Sequence, residues 1–268
     1  MLTLNIQLDG QERLPALIDL IRKTQADVVG LQECGSSARP IAEALGFGLV
    51  KQDDDRAILS RFPVLGTTPA RQGALIMTPG GRAVAVFNAH LYYTPYQPYQ
   101  LLGIPYQGAP FVSTAADAIA AAESARGKDV REMLADVATV DPRAPMIVMG
   151  DFNEPSHLDW TARAARAKRH PLEVAWPSTL AFERAGFTDS WRALHPNEIA
   201  DPGFTWTPNT SVTDPRDHHD RIDFILARGD RLHATHVDIV GENALHAQIV
   251  VSPYPTDHRA VLTTFEIH

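Results

Sequence analysis

The chain has 268 residues, of which 44% are hydrophobic and 21% charged, proportions that are typical of a globular protein with a sizeable core. The formal net charge of −8 and the sequence pI of about 5.7 exclude attraction to nucleic acid over the whole surface, but they leave room for a local basic groove. No apolar run is long enough to span a bilayer, and the single cysteine, Cys34, cannot form an internal disulfide.

The first residues carry no signal-peptide pattern. Neither a basic n-region nor an apolar h-region precedes MLTLNIQLDG, although trimming would have removed such a segment. A single cysteine also gives no reason to require an oxidising compartment. These features favour a cytoplasmic location.

Strand-like and helix-like segments alternate along the first half of the chain. The predicted strands are residues 2–6, 27–33, 57–60, 74–78 and 82–91. Amphipathic spacing predicts a helix over residues 13–24 and a second helical region from about Ala115 to Val140, broken near Gly127.

The second half continues the alternation. A strand over residues 145–153 is followed by a predicted helix from Leu158 to about His170. The last predicted strands are residues 220–227, 234–240 and 260–267. This mixture predicts a layered α/β sandwich, and the absence of a composition shift favours one domain over residues 1–268. Irregular loops are predicted at 92–114 and 207–219.

Predicted strands repeatedly end or begin with polar residues that suit contact with a metal ion or a phosphate. Ligands of α/β folds usually bind at the carboxyl ends of strands, so we expect these residues to converge at one edge of the sheets. Each taken alone is better explained as a cap or a turn, but their complementary chemistry favours a shared site. They are Asn5, Glu33, His90, Asp151, Asn153, Asp223, Asp257 and His258.

The chemistry that these residues suit is hydrolysis of a phosphate ester. Glu33, with Asn5 or Asp257, supplies oxygen ligands that favour Mg²⁺ or Mn²⁺ over zinc, as one ion or two. Such a metal would neutralise charge on the phosphoryl group and on its leaving oxygen. Because an ordinary aspartate has a pKa of about 3.9, Asp151 is expected to orient the attacking water rather than to act as a strong base.

The remaining polar residues are assigned to the phosphate itself. The amides of Asn153 and Asn5 can donate hydrogen bonds to phosphate oxygens. His258, held in one tautomer by Asp223, can hydrogen-bond the phosphoryl oxygens as charge builds up. His90 is expected to hydrogen-bond the phosphate or to protonate the leaving group.

Short motifs over nearly the whole chain resemble the endonuclease/exonuclease/phosphatase family, also called the deoxyribonuclease I-like fold. Besides Asn5 at the end of the first strand, the matching blocks in chain order are LQE, AILSRFPV, NAHL, GDFN, RIDFIL and TDHRAV, where SDHRAV is usual. GDFN together with the Asp-His pair of the last block is specific. The resemblance implies a four-layer α/β sandwich, in which two packed, mostly antiparallel β-sheets are flanked by helices and the site lies at the sheet ends.

The resemblance also implies roles for single residues. Asn5 and Glu33 match metal and phosphate positions, and His90 matches the histidine of the nuclease and phosphatase branches. Arg131 matches an arginine that would reach the phosphate, although a solvent-exposed helix arginine explains it equally well. Gln7 stands where some repair nucleases have a metal-binding acid, which leaves a second metal open. The other catalytic positions are matched by Asp151, Asn153, Asp223, Asp257 and His258.

Three segments near the predicted site leave alternatives open. The tyrosine-rich loop that includes Tyr93 is expected to form a rim over the leaving group, the alternative being that its tyrosines only cover apolar surface. The basic segment TARAARAKRH at 161–170 is better explained as a solvated helix face than as a patch that steers a polyanion. His218 and His219 could border the site or bind an extra metal, but we favour neither role for them.

The sequence therefore predicts a divalent-metal-dependent phosphoesterase in which water attacks phosphorus in line, without a covalent enzyme intermediate. The acidic balance and the tyrosine-rich loop favour a small-molecule or lipid-type phosphate mono- or diester over nucleic acid. A metal-dependent nuclease acting on DNA or RNA is the first alternative. A non-catalytic phosphate-binding scaffold is the second, and it is disfavoured because the acids and the final histidine are all present. Oligomeric state is left open.

Overall fold

A computed structural model describes all 268 residues and contains two β-sheets. The strands of the first sheet are β1 (Leu2–Asn5), β2 (Val28–Gln32), β3 (Gly48–Lys51), β4 (Ala57–Ser60), β11 (Leu232–Gly241), β12 (Ile249–Val250) and β13 (Ala260–Ile267). The strands of the second sheet are β5 (Val64–Thr67), β6 (Gly73–Met77), β7 (Ala83–His90), β8 (Met146–Asp151), β9 (Thr188–Asp189) and β10 (Asp223–Arg228).

Seven helices accompany the sheets. They are α1 (Leu14–Thr24), α2 (Ala38–Leu45), α3 (Gln97–Leu102), α4 (Ala115–Val137), α5 (Ala162–Arg166), α6 (Pro177–Arg184) and α7 (Ser190–Leu194). None of these helices combines the length and the apolar character needed to cross a lipid bilayer.

Three clusters of buried apolar side chains hold four layers together. Leu17 and Ile41 join α1 and α2 to Leu4 of the first sheet. The second cluster fills the space between the two sheets, and its members include Ile58, Val86, Ile147, Ile239 and Val261. The third joins α4 and α6 to the second sheet through residues that include Val130, Val148 and Phe182. The predicted four-layer α/β sandwich is confirmed.

Strand order places three strands that carry catalytic candidates side by side. The second sheet has the order β5-β6-β7-β8-β10-β9, with β7 parallel and β10 antiparallel to β8. The first sheet has the order β12-β11-β13-β1-β2-β4-β3 and is also mixed, because β1 pairs parallel with β2 and antiparallel with β13. The carboxyl ends of β1, β2, β7 and β8 therefore supply the residues of one edge.

Two helix predictions were wrong, one in an expected break and the other in its length. The predicted break near Gly127 is absent, because α4 runs without interruption through Gly127 and buries Val130, Met133 and Val137 beyond it. That burial offsets the roughly 1 kcal/mol that glycine costs inside a helix. The helix expected over 158–170 is only the five residues of α5, since Thr161 caps its first turn and Lys168 adopts a left-handed backbone conformation soon after its end.

Loop predictions were partly right. Residues 207–219 contain no helix or strand, as expected, whereas the tyrosine-rich segment 92–114 includes the short helix α3. Pro98 occupies the first turn of α3, where its missing N–H is not needed. Cys34 is buried and unpaired in the core cluster of the first sheet.

A buried ion network fastens the start of β10 to the segments around it. Arg221 is fully buried and donates to both carboxylate oxygens of Asp159, at 3.0 and 2.9 Å, and to Asp189 at 2.7 Å. Arg192 also donates to Asp159, at 2.6 Å. We expect Arg221→Met to lower the free energy of unfolding by about 3–5 kcal/mol, because it leaves two buried carboxylates with too few partners. Urea unfolding followed by circular dichroism measures the change.

The matched control for this substitution is Arg216→Met in the loop just before Arg221. Arg216 also forms a bidentate pair with an aspartate, Asp214, but its side chain is 87% exposed. Exposed ion pairs add little to stability, so this variant should keep the wild-type unfolding midpoint. Equal midpoints for the two variants would show that the buried network does not stabilise the fold.

Candidate active site

Asp151 lies at the centre of the predicted site because three neighbouring strands meet there. It is paired in register with His90 on β7 and with Asp223 on β10. Its Oδ2 atom lies 3.7 Å from Nε2 of His90 and 3.7 Å from Nε2 of His258. The carboxylate is fully buried. Sheet register thus places His90 and Asp223 beside this carboxylate, and His258, which lies just before β13, supplies the second imidazole.

Asn5 connects this centre to the first sheet. Its Nδ2 atom donates to Oε1 of Glu33 and to Oδ2 of Asp151, both at 3.1 Å. Its Oδ1 atom accepts the backbone N–H of Gln7 at 2.9 Å, so the amide nitrogen, rather than the oxygen, faces the two carboxylates. This orientation suits Asn5 for positioning acids and donating to a phosphate better than for binding a metal.

The backbone around Asp151 is shaped by two unusual residues. Gly150 has φ of 146°, and a Cβ atom there would lie 2.0 Å from the carbonyl oxygen of Ala89, so only glycine fits between β7 and β8. Asn153 has φ of 48°, and its backbone N–H donates to Oδ1 of Asp151 at 2.8 Å. Glycine and asparagine in GDFN therefore fix where the Asp151 carboxylate points.

Each of the two imidazoles has its own carboxylate partner. Nδ1 of His258 lies 3.0 Å from Asp223, and Nδ1 of His90 lies 2.7 Å from Asp55. Burial by itself would lower the pKa of His258, but the charges of Asp223 and Asp151 outweigh it and raise that pKa to about 10. Burial also opposes protonation of His90, yet Asp55 and Asp151 raise its pKa above the ordinary value. Two imidazoles whose pKa values are raised and which both lie 3.7 Å from one carboxylate are suited to holding a phosphoryl group.

A second group of acids lies at the end of the first sheet. Glu33 follows β2 with φ of 53° and accepts the backbone N–H of Leu8 at 2.7 Å, while Asp257 accepts Nε2 of Gln7 at 2.8 Å. Burial raises the pKa of Asp257, the charge of His258 opposes this, and the smaller effects of the Glu33 and Asp151 charges add to the rise. Carboxylate oxygens in this arrangement can hold a hard divalent cation, and the assignment of Glu33 and Asp257 as magnesium or manganese ligands stays a prediction.

Two of the substrate-binding candidates lie at the surface. Arg131 forms an ion pair with Glu123, and its side chain is 67% exposed. That arrangement matches the solvent-exposed alternative for Arg131 and places no guanidinium on the candidate catalytic residues. Tyr93 is 45% exposed and lines a small pocket together with Asn153 and Trp206.

Further residues of the site escaped the sequence analysis. Asp55 is one of three consecutive aspartates that look like a solvated turn, yet it holds His90. The Trp206 ring lies 4.9 Å from that of His258, and a β-bridge joins the two residues. Buried Arg126 donates to Gln97 at 2.6 Å and to the carbonyl of Pro95 at 3.0 Å, which anchors the tyrosine-rich loop. Motif spacing offers no signal for such contacts.

The surface beside the site is acidic. A broad groove adjoining Glu33 and His90 is also lined by exposed and half-buried aspartates and by the tyrosines that follow His90. The aspartates of this groove are Asp9, Asp54, Asp55 and Asp129. No lysine or arginine lines it. In the basic segment, Arg163 is instead paired with Glu198.

Comparison with known proteins covers the whole chain. Residues 2–258 match the model of the Endonuclease/Exonuclease/phosphatase family. An uncharacterized protein of Caenorhabditis elegans, F14F9.5, is 28% identical over 96% of this chain and 86% of its own length. Humanized TDP2 of D. rerio superposes with a TM-score of 0.62 at 18% identity, covering 99% of this chain and 97% of its own. The 3′ phosphatase NExo from Neisseria, bound to a product DNA hairpin, gives a TM-score of 0.58 at 20% identity, covering 99% and 98%.

Proposed function

The chain belongs to the endonuclease/exonuclease/phosphatase family, and from this membership we propose that it hydrolyses a phosphate ester with the help of Mg²⁺ or Mn²⁺. The observation that carries the proposal is the placement of Asp151 between the His90 and His258 imidazoles, each 3.7 Å from its Oδ2 atom. A carboxylate that orients water and two imidazoles that donate to a tetrahedral anion are the parts that in-line hydrolysis needs.

We assign the metal to the end of the first sheet. Glu33 and Asp257 would hold it, and Asn5 would keep Glu33 and Asp151 in place through its amide nitrogen. When bound, the ion supplies neutralisation of the phosphate charge. The number of ions depends on position 7. An acid there would add a ligand for a second ion, but Gln7 instead donates its amide to Asp257.

The chain's own residues supply the remaining steps. Asp151 accepts a hydrogen bond from the attacking water and so aims the lone pair of the water at phosphorus. The other acceptor positions of the Asp151 carboxylate are taken by the side-chain amide of Asn5 and the backbone N–H of Asn153. His258 donates from Nε2 to a phosphoryl oxygen, with Asp223 holding its Nδ1 proton. His90, held in the same way by Asp55, donates to the phosphate or to the leaving oxygen.

The substrate class that we favour is a small or lipid-type phosphate ester. An aromatic pocket next to Asn153 is lined by Tyr93, Tyr96, Tyr99, Tyr106, Trp206 and Ile222. Its free volume is only about 40 Å³, so an apolar or aromatic leaving group would lie against its exposed rim at Tyr93 rather than inside it. The neighbouring acidic groove carries no lysine or arginine, which is unfavourable for a long polyanion because phosphate backbones are bound by those side chains.

Nucleic acid is the second candidate substrate, since two proteins with this fold supply an observation in its favour. The Neisseria 3′ phosphatase is bound to product DNA. D. rerio TDP2 in complex with a single-strand DNA product superposes on this chain with a TM-score of 0.59. Aromatic side chains beside the site would then stack on an unpaired base. This candidate is restricted to nucleic-acid ends, where few phosphates need to be contacted.

A substrate panel with metal add-back tests the proposal. Bis(4-nitrophenyl) phosphate, 4-nitrophenyl phosphate, phospholipid vesicles, inositol phosphates, supercoiled plasmid and single-stranded oligonucleotide are each incubated with Mg²⁺, Mn²⁺ or EDTA. We expect release of nitrophenol from the diester with either metal, and none with EDTA, because charge on phosphorus is then not neutralised. Plasmid and the oligonucleotide interior should stay intact.

The same panel separates the alternatives. Turnover that persists unchanged in EDTA would contradict a metal-dependent mechanism. Faster cleavage of plasmid than of any small ester would replace the favoured substrate class by the nuclease. Binding of phosphate esters without any turnover would support a non-catalytic scaffold.

A further inference from the structure

Two histidines and an aspartate outside the proposed catalytic centre converge next to Trp160. Nδ1 of His170 lies 3.1 Å from Nε2 of His218, and Nε2 of His218 lies 3.8 Å from Oδ1 of Asp220. The three ligand atoms all lie within 4.8 Å of one another. His170 follows α5, while His218 and Asp220 end the long polar loop before β10, so the cluster joins two distant parts of the chain.

The spacing of these atoms matches the coordination shell of a transition metal. Zinc binds imidazole nitrogen at about 2.0–2.1 Å with tetrahedral geometry, which places two ligands on the same ion roughly 3.3 Å apart. The two imidazole nitrogens are 3.1 Å apart, and the Asp220 oxygen lies 3.8 Å from Nε2 of His218 and within 4.8 Å of Nδ1 of His170, so this oxygen must move closer when an ion binds. Two nitrogens and one carboxylate oxygen favour zinc over magnesium.

The surroundings hold both rings in place. The His170 ring stacks on Trp160 with centroids 4.3 Å apart, and the His218 ring meets the same indole edge-on at 5.7 Å. Burial lowers the pKa of His170 to about 4, so its imidazole is neutral at neutral pH. The His218 side chain retains 17% of its exposure, which leaves access for the ion and for water as a fourth ligand. Asp220 is fixed by Trp160 and Tyr96, whose donors lie 2.8 and 2.7 Å from its oxygens.

We propose that His170, His218 and Asp220 form a zinc site with water as the fourth ligand, separate from the magnesium or manganese site of hydrolysis. Through Asp220 the bound zinc would connect α5 and the 207–219 loop to Tyr96 of the aromatic pocket. Asp220 lies three residues before Asp223, the partner of His258. The metal would therefore stiffen the pocket wall and the approach to β10 rather than contact the substrate.

Zinc binding is measured on the full chain after removal of metals and in a large excess of Mg²⁺, which occupies the catalytic carboxylates. Equilibrium dialysis with metal analysis gives the stoichiometry, and the visible absorption of Co²⁺ reports four-coordinate nitrogen ligation. We expect one tightly bound zinc per chain in the wild type and in Glu33→Gln, a higher thermal midpoint with zinc, and a Co²⁺ band of the four-coordinate kind.

Two variants carry the assignment to these residues. His170→Gln and His218→Gln should each weaken zinc binding by at least about 100-fold. Losing a residue that binds the metal directly costs at least as much affinity as losing a residue that hydrogen-bonds to such a ligand. His195→Gln is the matched control, since His195 also stacks on a tryptophan, Trp191, at 4.1 Å, and it should bind zinc like the wild type.

The wild-type measurements keep the proposal open to refutation even if a variant does not fold. The two histidines form only a hydrogen-bonded pair if two results are found together. One is that Glu33→Gln loses all the zinc that the wild type binds, and the other is that the wild type shows no four-coordinate Co²⁺ absorption. Equal zinc affinity in His170→Gln, His218→Gln and His195→Gln would likewise overturn the assignment.

Discussion

Asp151→Ala is expected to lower kcat for bis(4-nitrophenyl) phosphate by about 10³-fold to 10⁴-fold, the upper part of the range for loss of a positioned proton-accepting group. The buried Asp151 carboxylate is the only acid within 4 Å of both catalytic imidazoles, so no neighbouring side chain can take over the water. KM should change much less, because the imidazoles and the metal still bind the phosphate. Initial rates over a range of substrate and Mg²⁺ concentrations measure both constants.

The control for this result is Asp129→Asn. Asp129 lines the acidic groove beside the site but makes no hydrogen bond to a catalytic side chain. It should retain wild-type kcat while removing one negative charge from the same region. If Asp151→Ala, folded by circular dichroism, keeps more than a tenth of wild-type kcat, water is not oriented by Asp151 and the proposed mechanism fails.

His258→Gln is expected to lower kcat by about 10²-fold to 10³-fold, the typical effect of removing one donor to charge that develops in the transition state. Glutamine can fill much of the space between Trp206 and Asp223 but provides no cation toward the phosphate. Asp223→Asn should have a smaller effect, since Asp223 acts only by holding His258. Both variants are compared with the same diester at saturating metal.

A double-mutant cycle makes the positioning role of Asp223 testable. If Asp223 works through His258, adding Asp223→Asn to His258→Gln should cost little further activity, so the two effects are far from additive. His157→Gln is the matched control, because His157 also pairs with a carboxylate, Glu183 at 2.8 Å, but outside the site. Additive losses in the double variant would show that Asp223 has a separate role.

The elements that could be predicted were those whose sequences show a clear local hydrophobic periodicity. Strands such as β8 are short apolar runs that end in glycine and aspartate, and their polar ends converge because sheet edges collect them. The same reasoning brought Asn5, Glu33 and His258 to one place. Helix bounds failed where tertiary contacts decided them, as at Gly127, where packing of α4 outweighs the local preference of glycine.

The partners of the catalytic side chains could not be predicted in the same way. Asp55 lies in a run of acids whose composition indicates a solvated turn, and only the pairing of the strands brings it to His90. Trp206 reaches His258 from a loop without periodicity. The orientation of the Asn5 amide depends on the backbone N–H of Gln7, a contact set by three-dimensional geometry rather than by residue type.

The matched positions of His90, Asp151 and Asp223 on three adjacent strands limit how this protein can vary in length. Side chains of a strand alternate between its two faces, so deleting one residue within β8 would turn Asp151 toward the opposite layer and bring a hydrophobic neighbour into its place. Insertions and deletions are therefore confined to the connections between strands, such as the polar segment between Trp206 and Asp220. Diversification of what the enzyme accepts would proceed by remodelling that connection while the strands keep a constant count.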